Sequence, residues 1–206
     1  MSFFPILLDF DGLPCLVAGG GRLGLHKAKL LLEQGAKVTV VAPEVCPELA
    51  ALPVQCLRRT VTAEDAADYS LVVDATGDPA AERILSDACR ARRIPFNSAC
   101  RVDDGSAIFP AVHRQGRTVL AVSSLGASPL ASARLRDTLA AHVPGQMDEI
   151  LDAMAALRPR SREAFEDQSQ RRDFLRRCLD EMLSLARPLT DAETDKRIQE
   201  IKENTK

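Results

Sequence analysis

The sequence predicts an α/β protein: a Rossmann-type parallel sheet, then a small β-rich dimerisation segment, then an α-helical C-terminal domain. Three observations predict it. An apolar run, Cys15-Leu16-Val17-Ala18, enters a cluster of glycines close to the start of the chain, and a helical pattern over 23–32 leaves it. Strand-like and helical stretches then alternate as far as Ser98, as in a parallel sheet covered on both faces. From Gln146 onward the pattern is helical throughout.

The elements follow in order. Gly19, Gly21 and Gly24 fit G-x-G-x-x-G, in which the glycines serve a tight turn, close backbone approach to a diphosphate, and close packing of helix on strand. Gly35 supplies a helix stop, and Lys37-Val38-Thr39-Val40-Val41 is a β-branched strand closed by Ala42-Pro43. This gives the βαβ context that the glycine fingerprint requires. A short polar helix is expected over 63–67, a strand over 71–76, a turn at Gly77-Asp78-Pro79, a helix over 80–92 and a strand over 94–98. Two further strands, 106–112 and 118–124, flank His113-Arg114-Gln115-Gly116-Arg117 and read as a hairpin. That hairpin is too short to make a core, so it either extends the sheet or pairs with a second subunit. Ser128-Pro129 opens a helix through about Ala141, the later helical region breaks at Pro159 and Pro188, and Thr190-Asp191-Ala192-Glu193 is a capping box. The expected domains are 1–112 for dinucleotide binding, 113–145 for dimerisation and 146–206 as a helical domain.

Composition excludes several functions. The chain has 206 residues, 46% hydrophobic and 27% charged, with a net charge of −2, which gives no bulk attraction to nucleic acid or an anionic membrane. Its six cysteines form no C-x-x-C pair, so neither a zinc knuckle nor a disulfide framework is indicated, and several sit in apolar runs as buried thiols. The three histidines (His26, His113, His142) are far apart and give no metal-ligand spacing. No basic leader or bilayer-length apolar run is read from the sequence, and the expectation is a cytoplasmic protein.

Several landmarks resemble the precorrin-2 dehydrogenase / sirohydrochlorin ferrochelatase family, of the siroheme synthase N-terminal type. They are Leu16-Val17-Ala18-Gly19-Gly20-Gly21 with Lys27-Ala28, Ala75-Thr76-Gly77-Asp78, Asn97, Phe109-Pro110-Ala111, and Val122-Ser123-Ser124-Leu125-Gly126-Ala127-Ser128-Pro129. The resemblance covers nearly the whole chain, and the serine-rich segment running into Ser128-Pro129 is its most specific part. It implies oxidation of precorrin-2 to sirohydrochlorin with NAD, and some members also insert ferrous iron; the homodimer is expected from the hairpin, which needs a partner to bury its face. The methyltransferase domain that some members carry is expected to be absent from a chain of this length.

Candidate site residues follow from motif and resemblance together. Gly19, Gly21 and Gly24 cradle the diphosphate, with Arg22 and Leu23 offering backbone N–H groups at the helix start. Glu44 is the nearest carboxylate for the adenosine ribose, or else a solvated loop acid; no Arg or Lys follows closely, which favours NAD over NADP. Pro43 and Thr76 are counted with the cofactor-binding residues. An octacarboxylate tetrapyrrole calls for arginines. Arg101, Arg114, Arg117, Arg134 and Arg136 are candidates, with Arg158, Arg160 and Arg162 beyond them. Asn97, Ser123, Ser124 and Ser128 offer further polar contacts to substrate, and Ser128 reads equally as a helix cap. The family places a catalytic Asp three residues after the asparagine, where this chain has Cys100, followed by Arg101-Val102-Asp103-Asp104. Asp103 or Asp104 takes the role of base, or Cys100 does with an activated thiol, or positioning against NAD suffices. No metal site is expected.

Overall fold

The computed structural model describes residues 3–99 and 105–203. Strands β1 (Pro14–Ala18), β2 (Lys37–Val41), β3 (Gln55–Leu57), β4 (Leu71–Asp74) and β5 (Phe96–Ser98) pair in parallel in the order 3-2-1-4-5. Leu16, Val17, Ala18, Val40, Val72 and Val73 have no more than trace exposure, so both faces of the central strands are covered. This is why β1, β2 and β4 read as continuous apolar runs and not as alternating ones. On one face Cys15, Val17, Val38, Val40, Leu71 and Val73 pack with Ala28 and Leu31 of helix α1 (Arg22–Leu32) and Leu49 of the short α2 (Pro47–Ala50). On the other, Leu16, Ala18, Val41, Val72 and Phe96 pack with Leu85, Ala88 and Cys89 of α3 (Pro79–Arg92). Each fully buried Leu, Val or Phe contributes about 1.5–3 kcal/mol.

The strand order has a functional consequence. The chain leaves β1 toward β2 and β3 on one side, then returns to lay β4 and β5 on the other. Such a reversal opens a crevice at the carboxyl ends of the two strands that flank it, here β1 and β4.

Contacts divide the chain into two units, Met1–Phe109 with Ser124–Ser128, and Pro110–Ser123 with Pro129–Lys206. The second holds an antiparallel ribbon, β6 (Ala111–Gln115) and β7 (Thr118–Val122), and helices α4 (Pro129–Ala140), α5 (Met147–Ala164), α6 (Gln168–Leu185) and α7 (Asp191–Glu203). Ile150, Leu157, Phe165, Phe174, Cys178, Met182 and Ile201 form its core, with the Phe165 and Phe174 rings 5.6 Å apart and tilted. Arg160 ties α5 to α7 through Asp191 (2.8 Å) and Asp195 (2.7 Å), and Arg117 ties the ribbon to α5 through Asp152 (2.7 Å).

Several expected elements are corrected. His113, Arg114 and Gln115 belong to β6 and not to the hairpin loop, which shrinks to Gly116-Arg117, with Gln115 opposite Thr118. Gly116 has φ +54°, which permits so tight a connection, and along β6 exposed Val112 and Arg114 alternate with half-buried Ala111, His113 and Gln115. The ribbon is its own two-stranded sheet and does not extend the parallel one. Pro159 sits inside α5, and the break comes instead after Ala164, where Asp167 caps α6 by accepting from Ser169 N and Gln170 N. The expected strand over 71–76 ends at Asp74 because Asp74 and Thr76 form a side-chain turn, and the segment 63–67 is a 3-10 turn, Ala63–Ala66. The sequence reading also missed β3 and α2.

The capping box of α7 is present: Thr190 N donates to Glu193 Oε2 (2.7 Å), and Glu193 N donates to Thr190 Oγ1 (3.3 Å). The Arg187 guanidinium, with the Thr190 amide and hydroxyl, holds the Glu193 carboxyl down at about 2. A depressed carboxyl stabilises the folded state above its ordinary value of 4.5, and that contribution is lost as pH falls through about 2. Glu193→Gln is therefore expected to melt below the parent protein at pH 7 and to match it near pH 2, as thermal denaturation followed by circular dichroism would record.

Candidate dinucleotide-binding site

The glycine loop is built by backbone crowding. Gly19 has φ +117° and its N–H donates to Val41 O (2.9 Å); a methyl there would strike the Ala75 carbonyl at the end of β4. A methyl on Gly20 would strike the carbonyl of Glu44, while Cys46 N donates to Gly20 O (2.9 Å). A methyl on Gly24 would strike the carbonyl of Gly19, which is how α1 lies so close on the loop. Gly21 differs: nothing lies within 4 Å of where its Cβ would be. It is the N-cap of α1, it caps no N–H with a side chain, and no acid stands in the first turn. The N–H groups of exposed Arg22 and Leu23 thus start a helix whose positive end is open to an anion.

Pro43 and Glu44 follow β2 on the exposed lip of this loop, and Glu44 makes no ion pair among the described residues. On the β4 side, half-buried Thr76 donates from N (3.1 Å) and from Oγ1 (2.7 Å) to Asp74 Oδ1, and its oxygen accepts from Asp78 N (3.1 Å). Asp78 in turn caps α3 through Ala80 N (2.9 Å). Thr76 therefore acts on the site by fixing this turn. Asp74 is the residue that sequence reading missed; the available signal was a carboxylate inside an apolar strand run. It is fully buried, and burial first, then Glu82 and Asp78, push its carboxyl above the ordinary range against the opposing bonds from Thr76.

The substrate candidates are distributed between the units. In the first, Asn97 on β5 is buried and donates from Nδ2 to Ala107 O (2.9 Å), while its Oδ1 has no partner among the described residues. Ser124 Oγ accepts from Ser128 N (2.9 Å) and donates to Ser128 O (3.0 Å), which closes the serine-rich loop on itself. Lys27 of α1 stacks over the Phe109 ring at 4.5 Å, and burial lowers its ammonium pKa. In the second unit, Ser123 and Arg134 are exposed. Among the wider arginine set, Arg117, Arg136 and Arg160 are not free cations: they pair with Asp148 and Asp152, with Asp137, and with Asp191 and Asp195. Cys100, Arg101, Asp103 and Asp104 lie outside the described residues. The described cysteines are free thiols, and burial pushes Cys15, Cys89 and Cys178 up to about 11, as for inert core residues.

Comparison with known proteins follows the same outline. Residues 6–111 match the family described as "Putative NAD(P)-binding". The chain belongs to this family. Among curated proteins, this NAD(P)-binding chain is 36% identical over 184 residues to a siroheme synthase of Methylococcus capsulatus, and 36% identical over 187 residues to one of Nitrosospira multiformis. Each match takes in 87% of this chain, and 39% and 40% of those proteins respectively, so the chain spans about two fifths of their length. Among solved structures, "SirC, precorrin-2 dehydrogenase" superposes with a TM-score of 0.66 at 26% identity, covering 98% of this chain and all of that one. The parallel sheet, the small antiparallel sheet and the helical region are thus a fold shared with that structure.

The family's ligand is a nicotinamide dinucleotide, and the loop fits one. Crowded Gly19, Gly20 and Gly24 hold the backbone in place, while open Gly21 and the uncapped start of α1 leave room and donors for a diphosphate. Gly20→Ala is expected to displace the 44–46 backbone at a cost of about 1–3 kcal/mol. It should weaken dinucleotide binding at least about tenfold on that scale, measured by calorimetric titration, whereas Gly145→Ala, in open space in the second unit, should leave binding far less affected.

Proposed function

We propose that this chain is an NAD-dependent precorrin-2 dehydrogenase that oxidises precorrin-2 to sirohydrochlorin. The observation that carries the proposal is the superposition on SirC over nearly the full length of both chains, joined to a glycine loop with an open helix start. In this reading a bound NAD supplies the hydride acceptor. Gly21, Arg22 and Leu23 hold its diphosphate, and Glu44 accepts from the adenosine ribose. Asn97, Arg101, Ser123, Ser124, Ser128 and Arg134 engage the tetrapyrrole, whose carboxylates suit arginine and N–H donors. Conversion of precorrin-2 to sirohydrochlorin removes a hydride and a proton from the macrocycle; a bound NAD would take up the hydride, and a base of this chain would take up the proton. Asp103, Asp104 or Cys100 receives that proton.

NAD is preferred over NADP because a carboxylate at Glu44, exposed and with no ion pair among the described residues, binds ribose hydroxyls and repels a 2′-phosphate. Two arginines follow β3 beside the end of β2, and Arg59 is already held by Asp65; Arg58 is exposed. Glu44→Ala should weaken NAD by about tenfold, the scale of one charge-assisted hydrogen bond, and leave NADP little changed. Tighter binding of NADP than NAD, erased by Arg58→Ala, would reverse the cofactor assignment.

The dimer expected for this enzyme uses the second unit, where Val112 of β6 and Leu130, Leu135 and Leu139 of α4 present apolar side chains to solvent. The five cysteines among the described residues are free thiols, which fits a reducing cytoplasm. No described helix is long and apolar enough to cross a membrane.

Anaerobic incubation of pure protein with precorrin-2 and NAD, followed by the sirohydrochlorin spectrum, tests the activity; no NAD-dependent turnover would rule it out. Separate Asp103→Ala, Asp104→Ala and Cys100→Ala variants identify the base. The variant that removes it should lose about 100-fold or more in kcat with little change in the KM for NAD, and three near-normal rates would leave positioning alone to account for catalysis.

A further inference from the structure

The turn that closes β4 contains a buried acid with no counter-charge among the described residues. Asp74 has no solvent exposure, and its Oδ2 meets no hydrogen-bond partner among the described residues. Across the sheet it stands opposite Ser98 of β5, whose hydroxyl donates to the buried Glu82 in the first turn of α3. Two carboxyl groups therefore share one dry corner of the fold. A residue that only had to fill this space would be apolar, because an unpartnered buried carboxyl is costly.

What Asp74 does is visible from its other oxygen. Oδ1 takes both donors that Thr76 can offer, Thr76 Oγ1 takes the Asp78 amide, and Asp78 caps α3. Between Asp74 and Thr76 lies Ala75. Its N–H donates to Ala18 O (2.7 Å), and its carbonyl is the wall that leaves no room for a side chain at Gly19. The bonds from Asp74 through Thr76 to Asp78 thus fix the surface against which the glycine loop turns.

We infer that Asp74 is a positioning residue for the dinucleotide: through Thr76 it holds the β4–α3 turn in the conformation that shapes the diphosphate loop. This rests on the reading of the chain as an NAD enzyme and adds to it a residue that touches neither cofactor nor substrate. Only the acceptor at Oδ1 is needed, so asparagine serves as well as aspartate. Burial, with Glu82 and Asp78 nearby, favours the protonated carboxyl in the folded state. A raised carboxyl stabilises least at high pH, since that benefit is lost as pH rises through the folded value. Asp74→Asn should accordingly melt above the parent at pH 8.

Calorimetric titration of NAD, which needs no tetrapyrrole, tests the inference. Asp74→Ala and Thr76→Val are expected to raise the Kd for NAD about tenfold, the scale of the lost hydrogen bonds. Asp74→Asn and Thr76→Ser should stay within about twofold on the same scale. In turnover, the KM for NAD should rise by more than kcat falls. If Asp74→Ala does not fold, Thr76→Val carries the test, since it leaves the carboxyl in place. Parent-like NAD binding by the folded Ala and Val variants would overturn the inference alone, as would Asn binding as weakly as Ala. Failure of the parent protein to bind NAD would overturn the NAD reading and the inference with it.

Discussion

Backbone carbonyls packed against glycines are the constraint on which the nucleotide unit depends. At Gly19, Gly20 and Gly24 the neighbour that forbids a side chain is a carbonyl of the main chain, belonging to Ala75, Glu44 and Gly19 itself. Main-chain neighbours cannot swing aside as a lysine or methionine would. The ends of β1, β2 and β4 are therefore brought together with little freedom, and the start of α1 is held over them. Gly21, with open space where its side chain would be, is the one position in the cluster left for something else to approach. A loop held on three sides and open on the fourth is suited to a ligand whose charge is met by N–H groups prepared before it arrives.

The two units solve the burial problem differently. In the first, continuous apolar strands are covered on both faces and few described polar side chains are buried; apart from Thr39 on β2 and Ser86 on α3, they are Asp74, Asn97 and Ser98 at the carboxyl ends of β4 and β5 and Glu82, which accepts from Ser98. Buried polar groups are costly, so their concentration beside the crevice of a doubly wound sheet fits a site and not a core. In the second unit, a compact apolar centre around Phe174 is surrounded by ion pairs on longer side chains, many of them exposed. Exposed pairs of this kind contribute little each, and the Phe165–Phe174 centre carries more of that unit's stability.

Much of the fold was legible because its signals are local. The extent of β2, the helix following the glycines, the capping box at Thr190 and the start of α4 at Pro129 all follow from residue type and spacing. The misses have physical causes. In sequence Pro159 reads as a break because an interior proline removes one hydrogen bond, yet α5 continues through it with Leu157 and Ser161 buried on either side. His113, Arg114 and Gln115 were read as a loop because they are polar, while a half-exposed ribbon tolerates polar residues along its length. Around the glycine loop, the backbone crowding was legible from a motif, and so was Glu44 as a candidate. Asp74 was not, since its meaning depends on Thr76, Glu82 and Ser98, which the sheet brings beside it. For the same reason Arg117 and Arg160 look like free cations in the sequence, and only the fold reveals the carboxylates they hold.

The central claim is that a dinucleotide crosses the carboxyl ends of β1 and β4 with its diphosphate at Gly21. A crystal structure of the protein with bound NAD tests it most directly. The account predicts diphosphate oxygens within hydrogen-bond distance of the Arg22 and Leu23 amides, the adenosine ribose against Glu44, and the β4–α3 turn unchanged at Thr76. A dinucleotide bound away from the glycine loop, or a loop that must open at Gly19 or Gly20 to admit it, would contradict the account.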